Sequence, residues 1–374
     1  MPNVHNWQLN RAMEFPYEEH RPQRQIAYIF DTNKCIACQT CTVACKTTWT
    51  SGKGQEQVFW NNVETKPYGG YPQTWDIKLM GLLEQRWQQS TYTGKTIFEA
   101  PPAGEKVTGH RPEEADYAYP NMGEDEIAGL IDQGAFFQGI HNVWMFYMAR
   151  ICNHCTYPGC AAACPRKAIY KREEDGIVLV DQTRCRGYQE CVKACPYKKV
   201  FFNAITRVSE KCIGCYPLIE QGMQPRCVAT CIGKIRLQGW LSKPGEAQAN
   251  NPLDQLVHIK KIALPLYPQY GTEPNVYYIP PIHVPREFLL QMFGPGVDAA
   301  VQAYRTITQD KAALAAMLLF GNTPYTIHTY TFTETHTAGF NDKGEEIIRV
   351  PLTEPFVVRQ PYDERHQTYR LNTA

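Results

Sequence analysis

Long apolar runs are missing from this sequence. The longest uncharged apolar stretch, Ala312–Gly321, falls well short of the ~18 residues a membrane span needs. The first thirty residues carry charges throughout and hold no apolar core, so no secretory signal is expected. Net charge is nearly absent as well: 38 basic against 37 acidic residues leave +1. That balance gives no general affinity for nucleic acid, and a membrane is expected to be met only through partners. Nucleophile elbows, Walker loops and zinc-hydrolase helices are also lacking. One G-x-G-x-x-A, at Gly294, Gly296 and Ala299, has Pro295 inside it and no strand expected before it. It is not read as a dinucleotide fingerprint. Nothing here activates a substrate, so no catalytic residue is assigned.

Cysteine is absent before residue 35 and after residue 231, and abundant in between. The 15 cysteines in 374 residues fall below the roughly 8–10% of a disulfide scaffold, and an odd number cannot all pair internally. They form four groups: Cys35, Cys38, Cys41 and Cys45; Cys152, Cys155, Cys160 and Cys164; Cys185, Cys191 and Cys195; Cys212, Cys215, Cys227 and Cys231. Every group ends C-x3-C. A cubane cluster takes three thiolates from one tight loop, and the next cysteine, three residues on, faces a second cluster, as in two-cluster ferredoxins. Zinc also uses C-x2-C pairs but gains nothing from the C-x3-C endings. Repeated disulfides at this spacing are not expected.

Between the second and third groups, CPRKAIYKREEDGIVLVDQTRC reads as a ferredoxin half-repeat. It predicts a short helix at Lys167–Tyr170, a charged turn at Glu173–Gly176 and a strand at Ile177–Val180. These two groups then form one unit. Under the crossing rule Cys195 completes Cys152, Cys155 and Cys160, while Cys164 joins Cys185 and Cys191. The outer groups pair across that unit: Cys231 completes Cys35, Cys38 and Cys41, and Cys45 completes Cys212, Cys215 and Cys227. Pairing the first group with the second, and the third with the fourth, is the alternative, but it leaves the half-repeat unexplained. His154, inside CNHC, is expected to pack or hydrogen-bond rather than ligate.

The third group reads CRGYQEC, with Tyr188 where a fourth cysteine belongs. A phenol titrating near ~10 replaces a thiolate poorly, so Tyr188 is expected to mark a vacant ligand slot. Three [4Fe–4S] clusters and one [3Fe–4S] cluster follow. The alternative is a fourth cube with oxygen on its odd iron. Residues 166–211 hold eleven basic and six acidic side chains, either a solvated face or cations set against anionic clusters.

The fold class predicted is α+β: two bacterial-ferredoxin-like units, a loop-rich insertion and a C-terminal extension. Residues 1–50 and 205–242 make the two halves of unit one, 51–145 the insertion, 146–204 unit two and 243–374 the extension. An acidic helix is expected at Glu124–Gln133, another at Asp298–Phe320, and strands at Tyr325–Phe332 and Glu346–Val350. With thirteen prolines after residue 241, about twice the usual ~5%, the extension is expected to pack on a large partner.

CIACQTCTVACKTTWTSGKG, WNNVETKPYGGYP, RICNHCTYPGCAAACPRKAIYKR, RCRGYQECVKACPYKK and SEKCIGCYP together resemble the iron–sulfur β subunits of respiratory nitrate reductases and their relatives in the type II DMSO reductase family. ALPLYPQYGTEPNVYYIPPIHVPREFLLQMFGPGVD resembles the nitrite oxidoreductase branch. Tyr188 departs from the nitrate reductases, which carry Trp there. The resemblance implies an electron-transfer subunit beside a catalytic α subunit carrying a molybdenum bis-pterin centre. A haem-bearing γ subunit or c-type cytochrome would take the electrons. It also implies a periplasmic or equivalent outer-side location, reached by co-export with α, with the cytoplasmic membrane face as alternative. Perchlorate, selenate and hydrocarbon-hydroxylating enzymes use similar subunits, and a free-standing multi-cluster ferredoxin is the other class.

Overall fold

The computed structural model describes residues 2–352 except 68–69, 73–74, 84–85 and 119–143, together with the short strands Tyr362–Asp363 and Thr368–Tyr369. Four strands form the central sheet, in the order Arg236–Leu241, Gln25–Asp31, Val276–Ile279, Leu264–Pro265. Phe30 stands opposite Arg236 in the antiparallel pair and opposite Tyr278 in the parallel pair. The Gln25–Asp31 strand, QIAYIFD, is apolar at successive positions because both its faces are covered. Ile26, Tyr28 and Phe30 enter the core that contains cysteines, whereas Ala27 and Ile29 join a second core with Leu237, Leu253 and Leu319. The strand before the first cysteine group thus pairs with the strand after the fourth. Helices Thr40–Trp49 and Arg226–Ala229, from those two groups, pack against each other.

The middle groups sit on helices Gly159–Ala163 and Glu190–Ala194, which also pack together. Two hairpins complete this unit, Ile169–Lys171 with Val178–Val180 and Val200–Asn203 with Val208–Lys211. The helix expected at Lys167–Tyr170 is therefore a strand instead. Cys164 is extended (ψ 111) and ends the preceding helix, Pro165 follows, and Lys167 is left-handed (φ 48). No right-handed helix continues through that geometry. Ile169 and Tyr170 then pair with Val180 and Leu179, as β-branched and aromatic side chains favour.

Strand Asn62–Lys66 pairs with Phe146–Arg150, joining the insertion to the second unit. The acidic helix expected at Glu124–Gln133 lies outside the described residues. The helix expected over Asp298–Phe320 is two, Val297–Arg305 and Lys311–Leu318, with a 3₁₀ turn at Ile307–Gln309. The break coincides with Thr306, Ile307 and Thr308, all β-branched and costly in helices. Asp310 then restarts the helix, its carboxylate accepting the Ala313 N–H at 3.2 Å. The strand expected over Tyr325–Phe332 is confined to Thr329–Phe332, and the one expected over Glu346–Val350 runs Glu346–Pro351. Gly294 follows a helix, Arg286–Phe293, not a strand. Leu264–Pro265 and Val276–Ile279 lie in the chain's own central sheet, so this proline-flanked part of the extension packs inward. Among the described residues no helix is long and apolar enough to cross a membrane.

Candidate metal centres

Each cysteine loop has a left-handed residue two positions after its first cysteine: Ala37 (φ 53), His154 (φ 42), Gly187 (φ 69) and Gly214 (φ 65). Such a residue turns successive backbone N–H groups toward one side, making an anion-binding concavity. The N–H of His154 donates to Cys152 Sγ at 3.4 Å, and that of Gly214 to Cys212 Sγ at 3.3 Å. Further along, the N–H groups of Ala168, Lys199 and Ser209 donate to Cys164, Cys195 and Cys185 at 3.3–3.4 Å. The loops therefore present sulfur inward with backbone donors behind it.

All fifteen cysteines are free thiols, and they line four cavities. Cys35, Cys38, Cys41 and Cys231 line the first, with Arg236. Cys45, Cys212, Cys215 and Cys227 line the second, with Trp49 and Trp60. Cys152, Cys155, Cys160 and Cys195 line the third. Cys164, Cys185 and Cys191 line the fourth, with Tyr188 and Ser209. Helix Thr40–Trp49 carries Cys41 into the first cavity and Cys45 into the second, and Cys227 and Cys231 span the same pair. The third and fourth are spanned by Cys160 with Cys164, and by Cys191 with Cys195. Cys45 and Cys212 share one apolar cluster with Cys152, which joins the second cavity to the third. The four cavities thus form a row. Exposed Ile36 lines its first end, and Val43 and Ile232, also exposed, follow Cys41 and Cys231 within two residues; its last end carries Arg166, Arg186 and Tyr188.

Electrostatics around the row is set by burial. Burial, joined by repulsion from neighbouring thiols, pushes the Cys191 thiol up to about 11 and those of Cys212 and Cys227 up to about 12. Such thiols ionise only against positive charge inside the cavity, because metal ligation requires the thiolate. Buried cations stand nearby. Burial opposes charge on Lys211, yet Cys152, Cys160 and Cys212 hold its pKa above the ordinary value. Burial instead lowers Lys198 to about 8, with Cys195 opposing, and Lys199 to about 7, with Arg150 adding repulsion. Part of the basic excess in residues 166–211 is therefore buried beside the cysteines. Arg236 and Lys199, which one charge count could not single out, are the basic residues sequence reasoning missed.

These residues fit iron–sulfur clusters better than single ions. Among the described residues no three of His, Cys, Asp or Glu converge to hold one metal ion, as tetrahedral zinc would demand. Several buried N–H donors also have no protein partner: Trp60 Nε1 and Asn61 Nδ2 beside the second cavity, and Arg236 Nε and Nη1 beside the first. Buried donors of this kind cost free energy when left unmade, and cluster sulfides would satisfy them. His154 does not line the third cavity; its Nδ1 accepts the Val178 N–H at 3.1 Å.

Known proteins share this pattern. A family described as 4Fe-4S dicluster domain matches residues 143–240. The chlorate reductase β subunit of Ideonella dechloratans is 46% identical over 313 residues, covering 75% of this chain and 89% of that relative. The selenate reductase β subunit of Thauera selenatis is 44% identical over 307 residues, with the same coverages of 75% and 89%. The respiratory nitrate reductase 1 β chain of Escherichia coli is 34% identical over 356 residues, covering 69% of each. The chain carries a ferredoxin-like dicluster domain and belongs to the family of iron–sulfur, electron-transferring β subunits of chlorate, selenate, perchlorate and respiratory nitrate reductases.

Proposed function

We propose that the chain wires a molybdenum bis-pterin α subunit to a haem-bearing γ subunit or c-type cytochrome, in an enzyme that oxidises nitrite or reduces nitrate. The single observation that carries this is the row of four cysteine-lined cavities, exposed at both ends. Bound clusters supply one-electron carriers: in this reading [4Fe–4S] in the first three cavities and [3Fe–4S] in the fourth. The chain's own residues ligate through cysteine thiolates, donate backbone N–H groups to sulfur, and exclude water with a buried apolar shell. Exposed apolar Ile36, Val43 and Ile232 suit a permanent subunit interface, and the charged rim at Tyr188 suits a looser electron acceptor. The catalytic subunit is therefore assigned to the first end, with parts of the insertion 51–145 and extension 243–374 covering it. The proposed compartment is the outer side of the energy-coupling membrane.

Iron analysis of the anaerobically purified complex tests the cluster assignment. About 15 iron atoms per chain are expected, from three four-iron clusters and one three-iron cluster. About four ions, mostly zinc, would overturn it. The isolated chain is expected to accept electrons from a reductant while turning over no nitrite, nitrate or chlorate. Among the described residues no side-chain constellation activates an oxyanion, so steady turnover by the purified chain alone would refute the relay role.

A further inference from the structure

Arg236 is a buried cation without a carboxylate among its main charge partners. It lies on the cysteine side of the central sheet, opposite Phe30, with its guanidinium carbon 4.4 Å from that ring's centroid. Only 1% of it is exposed. Nη2 donates to Cys41 Sγ at 2.9 Å, and Nε and Nη1 have no hydrogen-bond partner. Cys41, Cys227, Cys231 and Cys35 are its principal charge partners. Three of these line the first cavity and Cys227 lines the second. The other cation lining the first cavity, Lys34, is half exposed and lies 3.7 Å from Asp31. A guanidinium does not deprotonate inside a protein, so its charge is permanent. Burying it is unfavourable unless anions compensate, and two thiolate-ligated clusters are anions.

We propose that Arg236 is a positioning residue, a fixed counter-ion shared by the centres of the first and second cavities that raises their reduction potentials, the first more strongly. This rests on the proposed cluster assignment. The N–H to Cys41 weights the effect toward the first centre, since hydrogen bonds to cluster sulfur and nearby charge are the protein's levers on potential. Lys211 stands between the second and third cavities, with Cys152, Cys160 and Cys212 as its charge partners. Its ammonium donates to the carbonyls of Val178 and Cys212, so its replacement reports a different pair of centres.

The test is a redox titration of the assembled complex followed by low-temperature EPR, with iron measured on the same samples. Each signal is assigned by its loss when one cysteine of its own cavity is replaced. In Arg236→Gln the first centre's midpoint potential is expected to fall, the second's to fall less and the fourth's to stay. Arg236→Lys, which keeps the charge but not the fork, should recover most of the shift. Full iron with unchanged potentials, or an equal fall at the fourth centre, would overturn the proposal. If Arg236→Gln assembles with less iron, the neutral Arg236→Met, close to it in length, is titrated in its place, and an unchanged first potential there overturns the proposal. Wild-type complex lacking iron–sulfur signals would instead sink the cluster assignment, a separate failure.

Discussion

Cys212→Ala is expected to stop electron flow between substrate and acceptor while leaving the catalytic subunit able to react with small dyes. Cys212 is buried and lines the second cavity, in the apolar cluster that also holds Cys45 and Cys152. The first cavity reaches the third through the second, so losing this centre opens a gap inside the row rather than trimming an end. Alanine offers no thiolate, and a four-iron cube cannot keep its corner. The loss in acceptor-coupled turnover should exceed the roughly 10–100-fold typical of removing an outer-shell partner of a metal site. Trp49→Phe is the contrast. It removes only the indole N–H that donates to Cys215 Sγ at 3.2 Å, so it should shift a potential without breaking the row. Iron per chain in Cys212→Ala should drop by at least about one, if three cysteines keep a three-iron cluster, and by about four if the centre is lost whole, with the partner subunits still co-purifying. Undiminished acceptor-coupled turnover with that iron missing would remove the second cavity from the electron path.

What the sequence revealed follows from how local each constraint is. Cluster ligation imposes spacing on cysteines within one loop, so the four groups were visible without any structure. The cavities bring together the same sets of cysteines that the crossing rule names. Local helix and strand preferences were weaker guides. Lys167–Tyr170 reads as helix by composition, but the left-handed Lys167 and the cross-strand partners Val180 and Leu179 decide for a strand. Val276–Ile279 is hidden among prolines, and only its parallel pairing with Gln25–Asp31 makes it core. Arg236 was equally invisible. In KIRLQGWL it resembles any polar position of a strand, and its burial depends on a partner strand roughly two hundred positions away in the chain. Long-range pairing sets both outcomes, and no spacing rule reports it.

Tyr188→Cys is expected to convert the fourth centre from three irons to four. The loop around Tyr188 repeats the backbone of the loop around Cys38: Ala37 and Gly187 are left-handed (φ 53 and 69), as are Gln39 and Gln189 (φ 60 and 61). Each helix then starts one residue later, at Thr40 and at Glu190. Tyr188 therefore holds the position from which Cys38 faces the first cavity, and it lines the fourth. Its ring is 58% exposed, so a smaller side chain leaves little void. A thiolate there supplies the missing ligand, and iron should rise by about one per chain. The EPR signal of an oxidised three-iron cluster should disappear, because an oxidised four-iron cube is silent. The potential of this centre should fall, since an added anionic ligand favours the oxidised state, and transfer to the acceptor should slow. Tyr188→Phe separates the alternatives. Without a role for the phenol oxygen it changes neither iron nor spectrum, whereas a phenol-ligated cube would lose iron and gain the three-iron signal. Ser209 offers a second oxygen at the same cavity, already accepting from the Cys191 thiol at 3.3 Å, and Ser209→Ala should likewise leave the iron count unchanged. A wild-type complex with no three-iron signal, and no iron gained in Tyr188→Cys, would show that the fourth cavity holds a complete cube from the start.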